Sequence, residues 1–327
     1  MRAVQLSSFG IPSEVAALVD LPEPGAPGPD EALIQVEYAP IDPADLLQIR
    51  GLYGVRPKLP AVVGSEGVGR VVAIGAGVKH VAVGDRVLLP MDRPAWQELM
   101  LAPASELFVA PDADPRQLCM LAINPPTAAL MLDSYVKLSP GDWVIQNAGN
   151  SGVGRAVAAF ARERGFRLIS VVRREALIEE LKGSGEEVVL LDGRDLAARV
   201  AAATGKAPVR LGLDAIGGEA TFSLASTLAR DATLVAYAAL SGKPSSINPL
   251  NVIFRGLTIK GFWLGHPDFK NTPAYHDALR ESARLVAEGK LLAPFATTYP
   301  IVRFSEAVAH AQAGGKILLD LRPQGVA

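Results

Sequence analysis

Residues Val144–Arg155 read VIQNAGNSGVGR, and Val171–Arg174 read VVRR. Val144 and Ile145 are the apolar start that a buried parallel strand needs, because helices cover both of its faces. Gly149, Gly152 and Gly154 then allow a tight turn, close approach of backbone to a ligand and close helix packing. From Val153 the pattern becomes helical, with Val157, Ala158 and Phe160 leading to Gly165, a helix stop. N–H groups at the start of such a helix form an anion site suited to a pyrophosphate. A second apolar strand, Leu168 to Val172, ends in Arg173 and Arg174, where an NAD site presents a carboxylate to the ribose hydroxyls. Two guanidinium groups suit a 2′-phosphate instead. These residues predict a dinucleotide site for NADPH. The plainer alternative for either arginine alone is a solvated strand end.

The rest of the composition is compatible with an enzyme of two domains. The chain has 327 residues, ample for a sizeable core. Its 32 basic and 34 acidic residues offer no electrostatic case for nucleic acid or an anionic membrane. No apolar run approaches membrane-spanning length. The opening MRAVQLSSFGIPSEV lacks the apolar core of a signal peptide and the Arg/Ser-rich character of a transit peptide. Cys119 is the only cysteine, so disulfide frameworks and cysteine-built zinc sites are excluded. The expectation from both is a reducing, cytoplasmic setting.

Two textures divide the chain. Up to about residue 120 it is rich in Pro and Gly, with short β-type runs at Ala32–Tyr38, Gly67–Ile74, Arg86–Leu89 and Glu106–Val109. From Leu121 strands and helices alternate, with strands expected at 143–146, 168–172, 187–191, 211–215 and 233–237. An apolar strand over Leu257–Leu264 closes one edge of that parallel sheet. Left bare it would be an aggregation hazard. The tail predicts a helix near 273–288, a strand near 297–301, a helix near 305–313 and a strand at 316–321. The fold class is α/β, a β-rich domain plus a doubly wound parallel-sheet cofactor domain. The expected domains are 1–120, completed by 268–327, and 121–267.

A β-rich domain, a dinucleotide fold and a returning tail resemble the medium-chain dehydrogenase/reductase superfamily, and the resemblance spans essentially the whole chain. Val62–Val87, with Glu66 among Gly64, Gly67 and Gly69, is similar to that superfamily's signature in its first, GroES-like domain. The zinc members carry Cys where this chain has PIDPADLL, with Asp42 and Asp45, and His where it has Ser65. His80, His266, His276 and His310 show no ligand spacing, so no metal site is expected. Without a Lewis acid, reduction of a carbon–carbon double bond beside a carbonyl is favoured over alcohol oxidation.

NPPTA at Asn124–Ala128, VIQNAGNSGVGR, GFWL at Gly261–Leu264 and the segment Ile49–Gly67 together resemble the trans-2-enoyl-CoA/acyl-carrier-protein reductases of the mitochondrial type. That resemblance implies NADPH-dependent reduction of enoyl thioesters, possible presentation of the substrate by acyl carrier protein, and a homodimer paired through the edge strand. It implies that Tyr53 is catalytic, donating a proton or holding the enolate. Asn124 would approach the nicotinamide end, Gly149, Asn150, Ser151, Gly152 and Val153 would hold the pyrophosphate, and Arg173 and Arg174 the 2′-phosphate. Tyr237, Phe262 and Trp263 would line the nicotinamide side, with Lys316 reaching in from the tail. Unaided, Phe262 and Trp263 read as core or interface aromatics and Tyr53 as a loop aromatic. Departures fall at Ala129, at Ala238–Ala239 in place of Gly-Gly, and at Asp42 in place of asparagine; all bear on acyl specificity. The rival readings are an NADPH:quinone or enone oxidoreductase and a non-catalytic NADPH-binding relative.

Overall fold

The computed structural model describes residues 1–91 and 93–323. The chain forms two compact units, Met1–Ile123 with the segment from Ser282 onward, and Asn124–Glu281. The sequence reading puts its breaks at 120 and 268; in the structure the return to the first unit falls within the helix Pro273–Ala287.

The first unit is built on strands β1 (Arg2–Leu6), β2 (Ala16–Asp20), β3 (Glu31–Ile41), β4 (Ala61–Val62), β5 (Val68–Ile74), β6 (Arg86–Leu88), β7 (Leu99–Pro103) and β8 (Phe108–Val109). β1 pairs antiparallel with β2 and β4 in a small sheet, while β3 lies at the centre of a larger one, between β5 and strands of the tail. Buried and half-buried residues alternate along the start of β3, after which the strand is buried throughout. Its inward side chains Ile34 and Val36 join Leu6, Trp96, Met100 and Phe304 in the core. Trp96 is fully buried, and its indole Nε1–H donates to Pro40 O at 3.0 Å. A Cβ on Gly64 would lie 2.3 Å from that indole, and its φ is +100°, so no other residue fits there.

In the second unit come β9 (Trp143–Asn147), β10 (Arg167–Val172), β11 (Val188–Leu191), β12 (Val209–Asp214), β13 (Thr233–Ala236) and β14 (Thr258–Gly261). They form a parallel sheet in the order β11-β10-β9-β12-β13-β14. This is the doubly wound arrangement, whose order reverses between β9 and β12 and leaves a crevice at their carboxyl ends. β9 is buried along its whole length. The tail adds β15 (Thr297–Pro300) and β16 (Ile317–Asp320), and β16 pairs antiparallel with β3.

Several local expectations need correction. β1, β2 and β7 lie outside the β-type runs expected in the first 120 residues. Residues 104–106 form a 3-10 turn, so the run expected from Glu106 pairs only at Phe108–Val109. The edge strand is shorter than Leu257–Leu264, because Leu257, Phe262 and Leu264 are buried outside the ladder while Thr258–Gly261 is exposed along its length. Packing, not pairing, accounts for the apolar ends.

Candidate functional site

The glycine-rich turn follows β9. A Cβ on Gly154 would come within 2.5 Å of Ala148 O, and one on Gly149 within 2.8 Å of Ser170 Cβ on the neighbouring strand, so both positions demand glycine. The residue carrying the positive φ in this turn is Ala148, at 51°. An L-residue there bears a strain of roughly 1–2 kcal/mol. Surrounding bonds hold it: Gln146 Nε2 donates to Gly154 O at 2.9 Å and to Ser170 Oγ at 3.0 Å.

Helix Gly152–Glu163 leaves the turn with Ser151 as its N-cap, the hydroxyl accepting from Gly154 N–H at 3.0 Å. It buries Ala156, Val157, Ala158 and Phe160 and packs against the helix Asn124–Ser134. Asn124 at the head of that second helix faces Gly152, whose added Cβ would lie 3.0 Å from the Asn124 amide nitrogen. Asn150, Ser151, Gly152 and Val153 are half-buried around the helix start.

The loop after β12 is tied to the end of β9. Asn147 Nδ2 donates to Asp214 Oδ1 at 2.6 Å, and Asn147 Oδ1 accepts from Ala215 N–H at 2.7 Å. Asp214 also accepts from Ile216 and Gly217 N–H and from the Thr221 hydroxyl. Sequence reasoning overlooked this fully satisfied pair, whose signal was a polar residue closing each of two apolar strands.

Tyr237, past the end of β13, has a buried hydroxyl without a hydrogen-bond partner. Burial pushes its pKa up. Arg173 and Arg174 lie exposed just beyond β10, and among the described residues neither enters an ion pair. A helix N-terminus, close-packed glycines, an unsatisfied buried hydroxyl and two uncommitted guanidinium groups fit an anionic dinucleotide with an extra phosphate. Phe262 is buried against Phe269, with ring centroids 4.6 Å apart, and Trp263 is 39% exposed.

In the first unit, Tyr53 is half-buried in the turn following the helix Pro43–Ile49. At the head of that helix sits a buried ionic cluster. The β3–β16 register sets Ile317 opposite Ile41, which brings Lys316 beside Asp42, and their side chains form an ion pair. Asp45, three residues into the helix, accepts the Asp42 N–H at 2.8 Å and the Ser65 hydroxyl. Glu66 is fully buried, and its Oε2 accepts the Ile123 N–H at 3.0 Å. Burial lowers the pKa of Lys316, but Asp42 and Glu66 more than reverse this, leaving it raised. The Asp42–Lys316 pair spans 274 positions of sequence, and no local pattern announces it.

Burial, then repulsion from Asp42, lifts Asp45 from its ordinary 3.8 to about 7. Between those values the folded chain holds a proton that the unfolded chain has released, so stability falls as pH rises through that window. In Asp45→Asn that part of the slope should disappear, as urea midpoints measured across the window would show; an unchanged slope would contradict the assignment.

Comparison with known proteins bears on both units. Residues 28–112 match the alcohol dehydrogenase GroES-like domain, and residues 152–282 match the zinc-binding dehydrogenase family. Among the described residues no group of three or more His, Cys, Asp or Glu is placed to hold a metal ion. The chain is 34% identical to the mitochondrial enoyl-[acyl-carrier-protein] reductase of Dictyostelium discoideum, over 98% of this chain and 95% of that one. The solved complex of Etr1p with NADP and crotonyl-CoA has the same fold, with TM-score 0.87 at 24% identity over 98% of this chain and 99% of that one. A mycobacterial protein complexed with NADPH aligns with TM-score 0.84 and 27% identity, over 98% of this chain and 100% of that one. The expected cytoplasmic setting is overturned, because curated relatives at this similarity are named as mitochondrial proteins. A single cysteine excludes an intrachain disulfide, which does not single out a compartment.

Proposed function

Because this chain belongs to the enoyl-[acyl-carrier-protein] reductase family, within the medium-chain dehydrogenase/reductase superfamily, we propose that it reduces the carbon–carbon double bond of trans-2-enoyl thioesters with NADPH. The thioester is carried on coenzyme A or on acyl carrier protein. The observation that carries the reading is the glycine-rich turn with Arg173 and Arg174 uncommitted beyond the next strand. The substrate class rests on the relatives, the one from Dictyostelium discoideum being named an enoyl-[acyl-carrier-protein] reductase.

In this reading residues 121–267 hold the cofactor, and 1–120 with 268–327 carry the substrate chemistry. Gly149, Asn150, Ser151, Gly152 and Val153 hold the pyrophosphate through backbone N–H groups and the Ser151 hydroxyl. Arg173 and Arg174 clasp the 2′-phosphate. Asn124, Tyr237, Phe262, Trp263 and Lys316 address the nicotinamide portion. When bound, the cofactor supplies a hydride to the β-carbon. Negative charge then builds on the α-carbon and the thioester oxygen, and the Tyr53 phenol hydrogen-bonds to that charge and delivers the proton to the α-carbon.

The test follows NADPH consumption with a series of trans-2-enoyl-CoA thioesters beside a quinone and a simple enone. Thioesters should turn over best. Rapid quinone turnover with thioesters ignored would install the quinone reductase reading, and tight cofactor binding without any turnover the non-catalytic one.

We also propose a homodimer paired along β14. Residues Thr258–Gly261 are exposed along the strand, Ile259 at 44%, and the preceding helix Pro249–Arg255 exposes Ile253 at 67% and Phe254 at 64%. A bare edge next to an apolar patch invites pairing. Light scattering should return twice the mass of one chain, and a single-chain mass would sink the proposal.

A further inference from the structure

Two buried carboxyl oxygens in the first unit lack a donor, Asp42 Oδ2 and Glu66 Oε1. Their sister oxygens are occupied: Asp42 Oδ1 by the Lys316 ammonium, and Glu66 Oε2 by the Ile123 N–H at 3.0 Å. Asp42 is 4% exposed and Glu66 0%. The two carboxyls lie within hydrogen-bonding reach of each other. Two carboxylates so placed, away from water, repel each other with little screening and leave two acceptors facing no hydrogen. A single proton removes both defects.

We propose that Glu66 and Asp42 share a proton between Glu66 Oε1 and Asp42 Oδ2, and that Glu66 is thereby a positioning residue for Lys316. It fixes the plane of the Asp42 carboxyl, whose other oxygen holds the ammonium. The consequence for the cofactor rests on the reading of Lys316 as a nicotinamide contact.

The surroundings favour the protonated pair. Burial first, and then the charge of Asp42, drives the Glu66 pKa well above the usual carboxylate range, while Lys316 pulls the other way. The titratable groups facing Glu66 are Asp42 and Asp45 at the head of the helix Pro43–Ile49, Lys316 ahead of β16, and the thiol of Cys119. Of these only Lys316 is cationic, and it is already committed to Asp42. Both oxygens of Asp45 accept other bonds, from the Asp42 N–H and the Ser65 hydroxyl. The thiol of Cys119 is itself held neutral by burial.

Infrared difference spectra of the whole protein at neutral pH test the shared proton. A carboxylic-acid C=O band should vanish in Glu66→Gln and persist in Asp45→Asn; no band lost in Glu66→Gln overturns the proposal. Fluorescence titration with NADPH across pH tests the positioning. Wild type should lose affinity as alkali removes the proton. In Glu66→Gln the amide keeps donating to Asp42 while its carbonyl still accepts from Ile123, so affinity should stay level. Glu66→Leu, which leaves Asp42 without its donor, should weaken binding about tenfold at every pH. Equal behaviour of the Gln and Leu variants, or a Gln profile that follows wild type into alkali, overturns the positioning role. If Glu66→Leu does not fold, the Gln profile and the infrared band still decide. If wild type fails to bind NADPH at all, the cofactor reading falls while the band alone judges the shared proton.

Discussion

Tyr53→Phe should lower turnover of enoyl thioesters by about a hundred- to ten-thousand-fold, the usual cost of removing a proton donor at the reacting centre. The substitution deletes one oxygen and keeps the ring. Tyr53 sits half-buried in a turn, and the ring that packs there is retained. NADPH affinity and thermal stability should therefore stay near wild type. The loss should appear in kcat and kcat/KM together, because the phenol acts on charge that exists only in the transition state. Single-turnover traces of NADPH fluorescence separate this from slow product release. Undiminished chemistry in Tyr53→Phe would remove Tyr53 from the mechanism and favour an acceptor, such as a quinone, that needs no proton donor at this position.

Replacing Arg173 and Arg174 by alanine should raise the NADPH dissociation constant by tens-fold for each guanidinium lost, on the basis of about 2 kcal/mol per charge-assisted bond to phosphate. NADH lacks the 2′-phosphate, so its affinity should hardly change. Both arginines are exposed beyond β10 and outside any ion pair among the described residues, so the fold does not need them. The discrimination between the two cofactors should thus collapse without loss of stability, which parallel titrations and melting curves would show. Wild-type protein with equal kcat/KM for NADPH and NADH would refute the assignment at once. High salt should weaken NADPH more than NADH, since the added contacts are solvent-accessible charges.

Much of the second unit was legible from residues alone, for a physical reason. A parallel strand covered on both faces must be apolar almost throughout, so Trp143–Asn147 and Arg167–Val172 announce themselves as runs. The glycine spacing that follows β9 is dictated by contacts with Ala148 O and Ser170 that leave no room for a Cβ. The first unit was harder to read. Its strands are short, and RAVQL, AALVD and LMLAP show no strict alternation of apolar with polar residues, so β1, β2 and β7 do not stand out.

By itself, then, the sequence determined the doubly wound sheet, the glycine-rich turn and the place of Arg173 and Arg174 just beyond β10, because each is a matter of residues close together in the chain. Only the tertiary structure decided what surrounds Lys316. Asp42, Asp45, Ser65 and Glu66 come from two segments, and Lys316, from a third, reaches them because β16 pairs with β3 in a register that sets Ile317 opposite Ile41. That register is chosen by burying Ile317 and Leu319 in the core of the first unit, a requirement of the assembled sheet rather than of any local stretch. Carboxyl groups that would be ordinary in an exposed loop are thereby withdrawn from water, and their protons become part of the structure.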